Sequence, residues 1–332
     1  MPEIIAEVGV NHNGNIDYAK KLIINAKIAG ADYVKFQTFL ANNLVRRNQK
    51  LMSYQKKNIK KKITQYKMLK KLELSKNDHL RLINFCKKKK IKFLSSPFDV
   101  ESCKLLINLG IKNLKIPSGE INNYPLLIYI AKNAKKVFLS TGMSIIHEIS
   151  KSLKILTNNG LKKRQITLLH CNTDYPTRLE DVNLLAMKTM RDKFKINVGY
   201  SDHTNSNETA IAAVALGAKV IEKHITLSKS LTGPDHKSSF TKKEFINYVK
   251  YVKNCSILLG SKKKTPSKSE KKNMNSVRKS IVAKKNIKRG EIFTEENLIC
   301  KRPSQGISPY EWPKLIGSKS NKNYRKDDFI KK

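Results

Sequence analysis

Apolar residues in this chain fall into short runs, each followed by a polar cluster and then by a longer stretch with apolar positions three and four apart. Ile4–Val8 is the first run, a strand carrying Glu7, and GVNHNG at Gly9–Gly14 is a turn. Asp17–Ala29 has helical spacing and is stopped by Gly30; Tyr33–Phe36 is the second strand, with Lys35, Gln37 and Thr38 near its end. Phe39–Gln65 is a polar, lysine-rich excursion, expected as a loop with short helical pieces covering a site. Lys76–Lys89 predicts a helix and Ile91–Leu94 a strand, followed by the turn Ser95-Ser96-Pro97-Phe98-Asp99.

The alternation then becomes regular. Strands are expected at Asn113–Ile116, Val137–Leu139, Ile166–Leu169, Ile196–Tyr200 and Lys219–Glu222. Helices are expected at Tyr124–Lys132, Ser144–Asn158, Val182–Arg191, Ala210–Gly217 and Lys242–Leu259. Eight strand–helix units over about 260 residues predict an α/β fold of the (β/α)8 TIM-barrel type. After Gly260 the texture changes. Ser261–Ser276 is lysine- and serine-rich, as linkers are. Lys279–Lys332 has short strand-like runs at Ser280–Ala283, Ile292–Phe293 and Leu298–Cys300, a small β-rich domain. The division expected is a barrel over 1–260, a linker over 261–277 and a β-rich domain over 278–332.

In a barrel the residues just past the strand ends share one mouth. Here they are Glu7, Lys35, Gln37, Ser96, Lys115, Ser118, Glu120, Ser140, Thr141, Tyr175, Ser201, His203 and His224, and Gly233-Pro234-Asp235-His236 adds a turn with an acid. Lys35 and Lys115 sit inside apolar runs, where an unpaired ammonium is costly. Lysines with serine hydroxyls and glycine-flanked amides make a cradle for phosphate or carboxylate. His203 and His224 end neighbouring strands. The bland reading makes one a hydrogen-bonded core residue and leaves the other in solvent. The sharper one has them share a metal, where two imidazoles and a carboxylate suit Mn²⁺, Fe²⁺, Co²⁺ or Zn²⁺. The residues alone thus predict a metal-assisted barrel enzyme acting on a phosphorylated or carboxylated small molecule.

Charge changes this picture little. The net charge of +41 invites a nucleic-acid reading, but the excess is mostly lysine in scattered runs such as Lys60–Lys62, Lys87–Lys90 and Lys262–Lys264, with little arginine or aromatic interleaving. A solvated basic surface that draws in anionic substrates is expected instead, with no nucleic-acid partner. The five cysteines are scattered with no CxxC pair, which favours free thiols in a reducing cytoplasm. No apolar stretch is long enough to span a bilayer and no secretory signal is evident, so a cytoplasmic protein without a membrane partner is expected.

In order along the chain, IIAEVGVNHNG, VKFQTF, SSPFD, KIPSGEINNYPLL, LSTGM, LLHCNTDYPT, VGYSDHT, EKHITL and GPDHKSS resemble the sialic acid synthase family. RKSIVAKKNIKRGEIF and KRPSQGISPYEW resemble its C-terminal antifreeze-like (SAF) domain. The resemblance implies condensation of phosphoenolpyruvate with an N-acetylated hexosamine to a nine-carbon 2-keto sugar acid and phosphate. It makes His203 and His224 the ligands of a divalent metal, Mn²⁺ first, with Mg²⁺ or Co²⁺ as alternatives. Lys35, Lys115, Ser118, Ser140 and Ser201 would hold phosphoenolpyruvate, with Ser96 beside them. Glu7, Gln37, Glu120, Tyr175 and Asp235 would contact the sugar, and Glu7 or Glu120 would be the acid–base group. Arg302 would reach the N-acetyl side from a partner subunit, which implies a domain-swapped homodimer. Some members have Asn where this chain has Thr173, and here the Asn is one place earlier, at Asn172, so the contact expected of Thr173 is open. The GISPYEW tail favours N-acetylmannosamine as substrate and N-acetylneuraminate as product; N,N′-diacetyllegionaminate is the alternative and pseudaminate a more distant one. Two rival classes remain: a Schiff-base aldolase using Lys35 or Lys115, and a glycan-binding protein with the barrel as scaffold.

Overall fold

A computed structural model describes residues 1–59 and 63–331. The lysine run Lys60–Lys62, expected as solvated surface, and Lys332 lie outside the described residues. Aliphatic and β-branched runs form eight parallel strands. They are β1 Glu3–Gly9, β2 Tyr33–Thr38, β3 Lys92–Pro97, β4 Asn113–Ile116, β5 Lys136–Ser140, β6 Ile166–His170, β7 Asn197–Asp202 and β8 Val220–His224. They pair in chain order and β8 closes on β1, giving the expected barrel. Several strands continue past their apolar runs: β2 to Thr38, β3 to Pro97, β7 to Asp202 and β8 to His224. Most of those added residues are polar, and the ones that face inward, such as Gln37, Ser96, Ser201 and His224, make that end of the barrel interior polar, which an apolar-run criterion does not see.

The helices start and stop where capping chemistry dictates. Asn15 accepts hydrogen bonds from the Asp17 and Tyr18 amides at the start of Ile16–Ala29, and Gly30 ends that helix at φ 84°. Ser75 and Asp78 form a capping box that opens Lys76–Lys88. The helix after β6 runs Leu185–Phe194 rather than from Val182, because Leu179–Asp181 is a 3₁₀ turn. The excursion after β2 contains three short helices, Ala41–Leu44, Ser53–Ile59 and Gln65–Lys70. It is less open than its lysines suggest, since Val10, Phe39, Ala41, Ile59, Met68, Leu69 and Leu72 form an apolar cluster of their own. The Asn58 side-chain amide ties it to the loop after β8 by donating to the Pro234 carbonyl at 2.6 Å.

Inside the barrel, Ile5, Tyr33, Leu94, Phe138, Leu169 and Val220 form an apolar cluster. Alternation along β7 and β8 separates two kinds of polar residue. Ser201, Glu222 and His224 belong to the interior, whereas Asp202 and Lys223 pack against the helices outside. Lys223 Nζ lies 3.1 Å from Asp202 Oδ2 with both side chains fully buried, donates to the Thr204 carbonyl, and sits 4.3 Å from the Phe240 ring centre. The Tyr248 hydroxyl donates to Asp202 at 2.8 Å. The chain divides into two compact units, Met1–Gly260 and Ser261–Lys332. Within the second, β9 Ser280–Ala283 pairs antiparallel with β10 Leu298–Lys301 over a core that includes Ile281, Phe293 and Tyr324. Ile292 makes only an isolated bridge to Lys319. The stretch read as linker contains an exposed helix, Lys268–Val277, opened by a Ser267–Glu270 capping box.

The Asp202–Lys223 pair yields a stability test. Asp202→Ala leaves a buried ammonium without its carboxylate and is expected to cost about 3–5 kcal/mol in urea unfolding of the barrel. The paired change Asp202→Leu with Lys223→Met is expected to recover most of that loss.

Candidate active site

The interior positions of β1, β2, β4, β7 and β8 bring together a buried charged network. Lys35 Nζ is 2.7 Å from Glu7 Oε2 and 3.3 Å from Glu222 Oε2, and it donates to Ser96 Oγ at 3.2 Å. Lys115 Nζ is 3.0 Å from Glu222 Oε1, which also accepts from Ser201 Oγ at 2.9 Å. Gln37 donates to Glu7 Oε1 at 3.4 Å. Glu7, Lys35, Lys115, Ser201 and Glu222 are all buried. Burial favours neutral forms, so the partners decide each charge. Burial would raise Glu222, but Lys115 and Lys35 hold its carboxyl well below the usual range. Burial would lower Lys35, but Glu222 and Glu7 push it up. For Lys115 burial wins and the ammonium is lowered, with Glu222 resisting. For Glu7 burial also wins and the carboxyl is raised despite Lys35. Glu222 is the site residue that the sequence reading missed. Its signal was a carboxylate in the apolar run VIEKH, facing the same problem as Lys35 and Lys115.

Beside this network stand the imidazoles. His203 Nδ1 lies 2.5 Å from the Asn172 carbonyl oxygen, which can only accept; the proton is therefore on Nδ1 and the lone pair on Nε2. His224 Nδ1 is buried with no hydrogen-bond partner among the described residues. The ring centres are 5.6 Å apart, and Tyr175 packs on both, at 4.3 Å from His203 and 5.9 Å from His224. Burial pulls His203 down to about 4, and burial with His203 alongside pulls His224 well below the usual value. Both rings are neutral near pH 7, the form that binds metal ions. A neutral pair with one orphaned buried nitrogen fits a divalent ion that takes two protein nitrogens and keeps other positions open. Among the described residues no group of three or more His, Cys, Asp or Glu is placed to hold a metal.

A cavity of about 430 Å³ joins these groups. Its lining includes Glu7, Lys35, Gln37, Ser96, Lys115 and Ser118, and further round Glu120, Ser140, Thr173, Tyr175, His203, His224 and Asp235. Ser201 lies beneath it, bonded to Glu222. The Ser118 hydroxyl accepts from the Gly142 amide at 3.0 Å and lies 3.2 Å from Cys171 Sγ; Ser140 Oγ is buried without a partner. Glu120 accepts from Asn123 at 2.7 Å and is raised by burial. Burial and the nearby Glu7 push Asp235 up to about 7. Asn172 turns its side chain to the Asp181 carbonyl at 2.6 Å, so Thr173 is the residue of that pair on the cavity. Thr141 stays structural, donating to the Leu169 carbonyl. Arg302 belongs to the second unit. The excursion after β2 supplies an apolar wall that includes Leu44, Met52, Met68 and Leu72. At the opposite end of the barrel, a cleft of about 460 Å³ among Lys87, Lys92, Lys112 and Lys135 has no histidine or carboxylate in its lining.

This constellation can hold a small dianion against two lysines and present it to a second molecule near neutral imidazoles, beside carboxyl groups whose pKa burial raises. Comparison with known proteins agrees. The model of the NeuB family matches residues 22–264 and that of the SAF domain residues 278–332. The chain is 51% identical over 328 residues to the N,N′-diacetyllegionaminic acid synthase of Campylobacter jejuni, covering 99% of this chain and 98% of that one. It is 44% identical over 323 residues to the protein of the same name from Legionella pneumophila, covering 96% and 90%. The crystal structure of an N-acetylneuraminic acid (sialic acid) synthetase from Leptospira borgpetersenii superposes with a TM-score of 0.71 at 33% identity, covering 82% of this chain and 90% of that one. The chain therefore belongs to the NeuB family, the sialic-acid-type synthases its motifs resemble, and is an enzyme of that condensing class with a SAF domain at its C-terminal end.

Proposed function

We propose that this protein is an N,N′-diacetyllegionaminate synthase. It would condense phosphoenolpyruvate with 2,4-diacetamido-2,4,6-trideoxymannose, giving the nine-carbon acid and phosphate. The full-length identity to two proteins of that name carries the reading. It displaces the expectation of N-acetylmannosamine, which rested on GISPYEW, a short segment within the SAF domain. N-acetylneuraminate synthesis is the second reading, supported by the Leptospira structure at lower identity.

In this reading Lys35 and Lys115, with Ser118, Ser140 and Ser201, take the phosphate and carboxylate of phosphoenolpyruvate. Charge stabilisation of this kind acts strongly in a water-poor site. Phosphoenolpyruvate C3 forms a bond to the sugar's aldehyde carbon, and the aldehyde oxygen takes a proton. Water then adds to the cationic C2, and the C2–O bond to phosphate breaks. Glu7 and Glu120, both raised by burial, are the candidate proton carriers: one protonates the oxygen and the resulting carboxylate takes a proton from the attacking water. A divalent ion on His203 and His224, with Mn²⁺ as first choice, would supply Lewis-acid polarisation of the aldehyde. Tyr175, tilted against His203 and edge-on to His224, and Asp235 hold the sugar beside them. A homodimer that brings a partner's Arg302 to the sugar remains part of the proposal.

The direct test is phosphate release from phosphoenolpyruvate with Mn²⁺, offering each sugar in parallel. Faster turnover of the trideoxy sugar is expected; a preference for N-acetylmannosamine would return the reading to N-acetylneuraminate. Glu222→Gln supplies a second test. Removing the carboxylate lowers the already depressed Lys115 further, so the alkaline limb of kcat/KM for phosphoenolpyruvate is expected to move to lower pH. A loss of roughly 10²-fold at pH 8, smaller at pH 6, is the expected size. A uniform loss at all pH values would contradict the role given to Glu222.

A further inference from the structure

One wall of the cavity is not explained by phosphoenolpyruvate or by the imidazoles. It comes from the segment between β2 and Lys76, and Leu44, Val45, Met52, Met68 and Leu72 face the cavity there, with Phe98 from the loop after β3 beside them. The same wall has glutamines, but their amides are largely committed to the protein itself. Gln55 Oε1 accepts from the Met52 amide at 3.1 Å and from Gln65 Nε2 at 3.4 Å, and Gln55 Nε2 lies 3.3 Å from the Tyr54 hydroxyl. The Tyr54 ring packs tilted against Tyr175 at 5.2 Å, and Tyr175 packs tilted against His203 at 4.3 Å. A line of rings thus runs from the imidazoles to the apolar wall.

Given the reading proposed above, the aldehyde end of the sugar is fixed at the imidazoles and phosphoenolpyruvate on the lysines. The far end of the sugar is left for the wall. A hydroxyl at C6 placed against Met52, Met68 and Leu72 would exchange water for apolar side chains, whereas a methyl group at the same position only buries apolar surface. We infer that Met52, Met68 and Leu72 make this wall a specificity element for a 6-deoxy sugar and that it selects against a 6-hydroxyl.

N-acetylmannosamine and its 6-deoxy analogue differ only in that hydroxyl, so their ratio of kcat/KM isolates the wall. Wild-type enzyme is expected to favour the 6-deoxy sugar on the order of 10²-fold, the size of discrimination a hydrophobic pocket shows against an added hydroxyl. Met68→Gln keeps side-chain length while adding an amide, and is expected to reduce that preference to about tenfold or less with KM for phosphoenolpyruvate unchanged. Met52 is 55% exposed, so Met52→Gln tests the same wall without disturbing the fold. An unchanged ratio in both folded variants would overturn the inference. The trideoxy sugar, assayed with the same preparation, separates the two levels. Turnover of it by wild-type enzyme with no 6-deoxy preference removes the wall's role and leaves the proposed function standing. Phosphate release with no sugar at all removes both.

Discussion

Two ammonium groups inside a barrel are the constraint on which the rest of this site depends. Lys35 and Lys115 arise on interior positions of β2 and β4, where isolated charges would be expelled or neutralised. Glu222 makes them tenable by standing 3.3 Å from one and 3.0 Å from the other, with Ser201 supplying a further hydrogen bond. Glu7 completes the neutralisation but is the weaker acid of the two, because burial outweighs its single lysine. The network is therefore balanced as it stands, and it becomes net positive when Glu7 takes a proton. A site with that property can accept a phosphate and a carboxylate without first losing its own counter-ion.

The strand period extends the same logic to the rest of the mouth. Successive residues of β8 alternate between the interior, at Glu222 and His224, and the helix layer, at Lys223. One register thus places a counter-ion and an imidazole in the cavity and turns a third charged residue outward to a structural partner, Asp202. The two polar triplets Ser201-Asp202-His203 and Glu222-Lys223-His224 do different work on alternate residues. The orientation of His203 depends on a third element, since the carbonyl of Asn172 after β6 fixes which nitrogen carries the proton.

Most of this was legible in the chain. Eight apolar runs with polar ends implied the barrel, and the strand-end residues implied the mouth; all but Thr141, Ser201 and Arg302 of the residues singled out for it line one cavity. What was not legible has physical reasons. Glu222 was hidden because a charge within an apolar strand signals burial without naming its partner, and the partners lie on β2 and β4, far away in sequence. The apolar wall was hidden because the lysines of the excursion after β2 mask the spacing of Met68, Leu69 and Leu72, and the helix that carries Met68 and Leu69 is, at six residues, too short for a clear period. The helix after β6 was placed too early because Val182 and Leu184 are apolar, yet the 3₁₀ turn before them delays the start. The expectation of N-acetylmannosamine rested on a short tail motif, and the identity over nearly the whole chain to N,N′-diacetyllegionaminic acid synthases favours the alternative.

The proposed phosphoenolpyruvate cradle is the Lys35–Glu222–Lys115 network. A crystal structure of the protein with phosphoenolpyruvate tests it. The ligand's phosphate and carboxylate are expected within hydrogen-bonding reach of Lys35 and Lys115, with Glu222 still held between them. Phosphoenolpyruvate bound instead in the lysine-lined cleft at the other end of the barrel, with Lys35 and Lys115 still closed on their carboxylates, would contradict it.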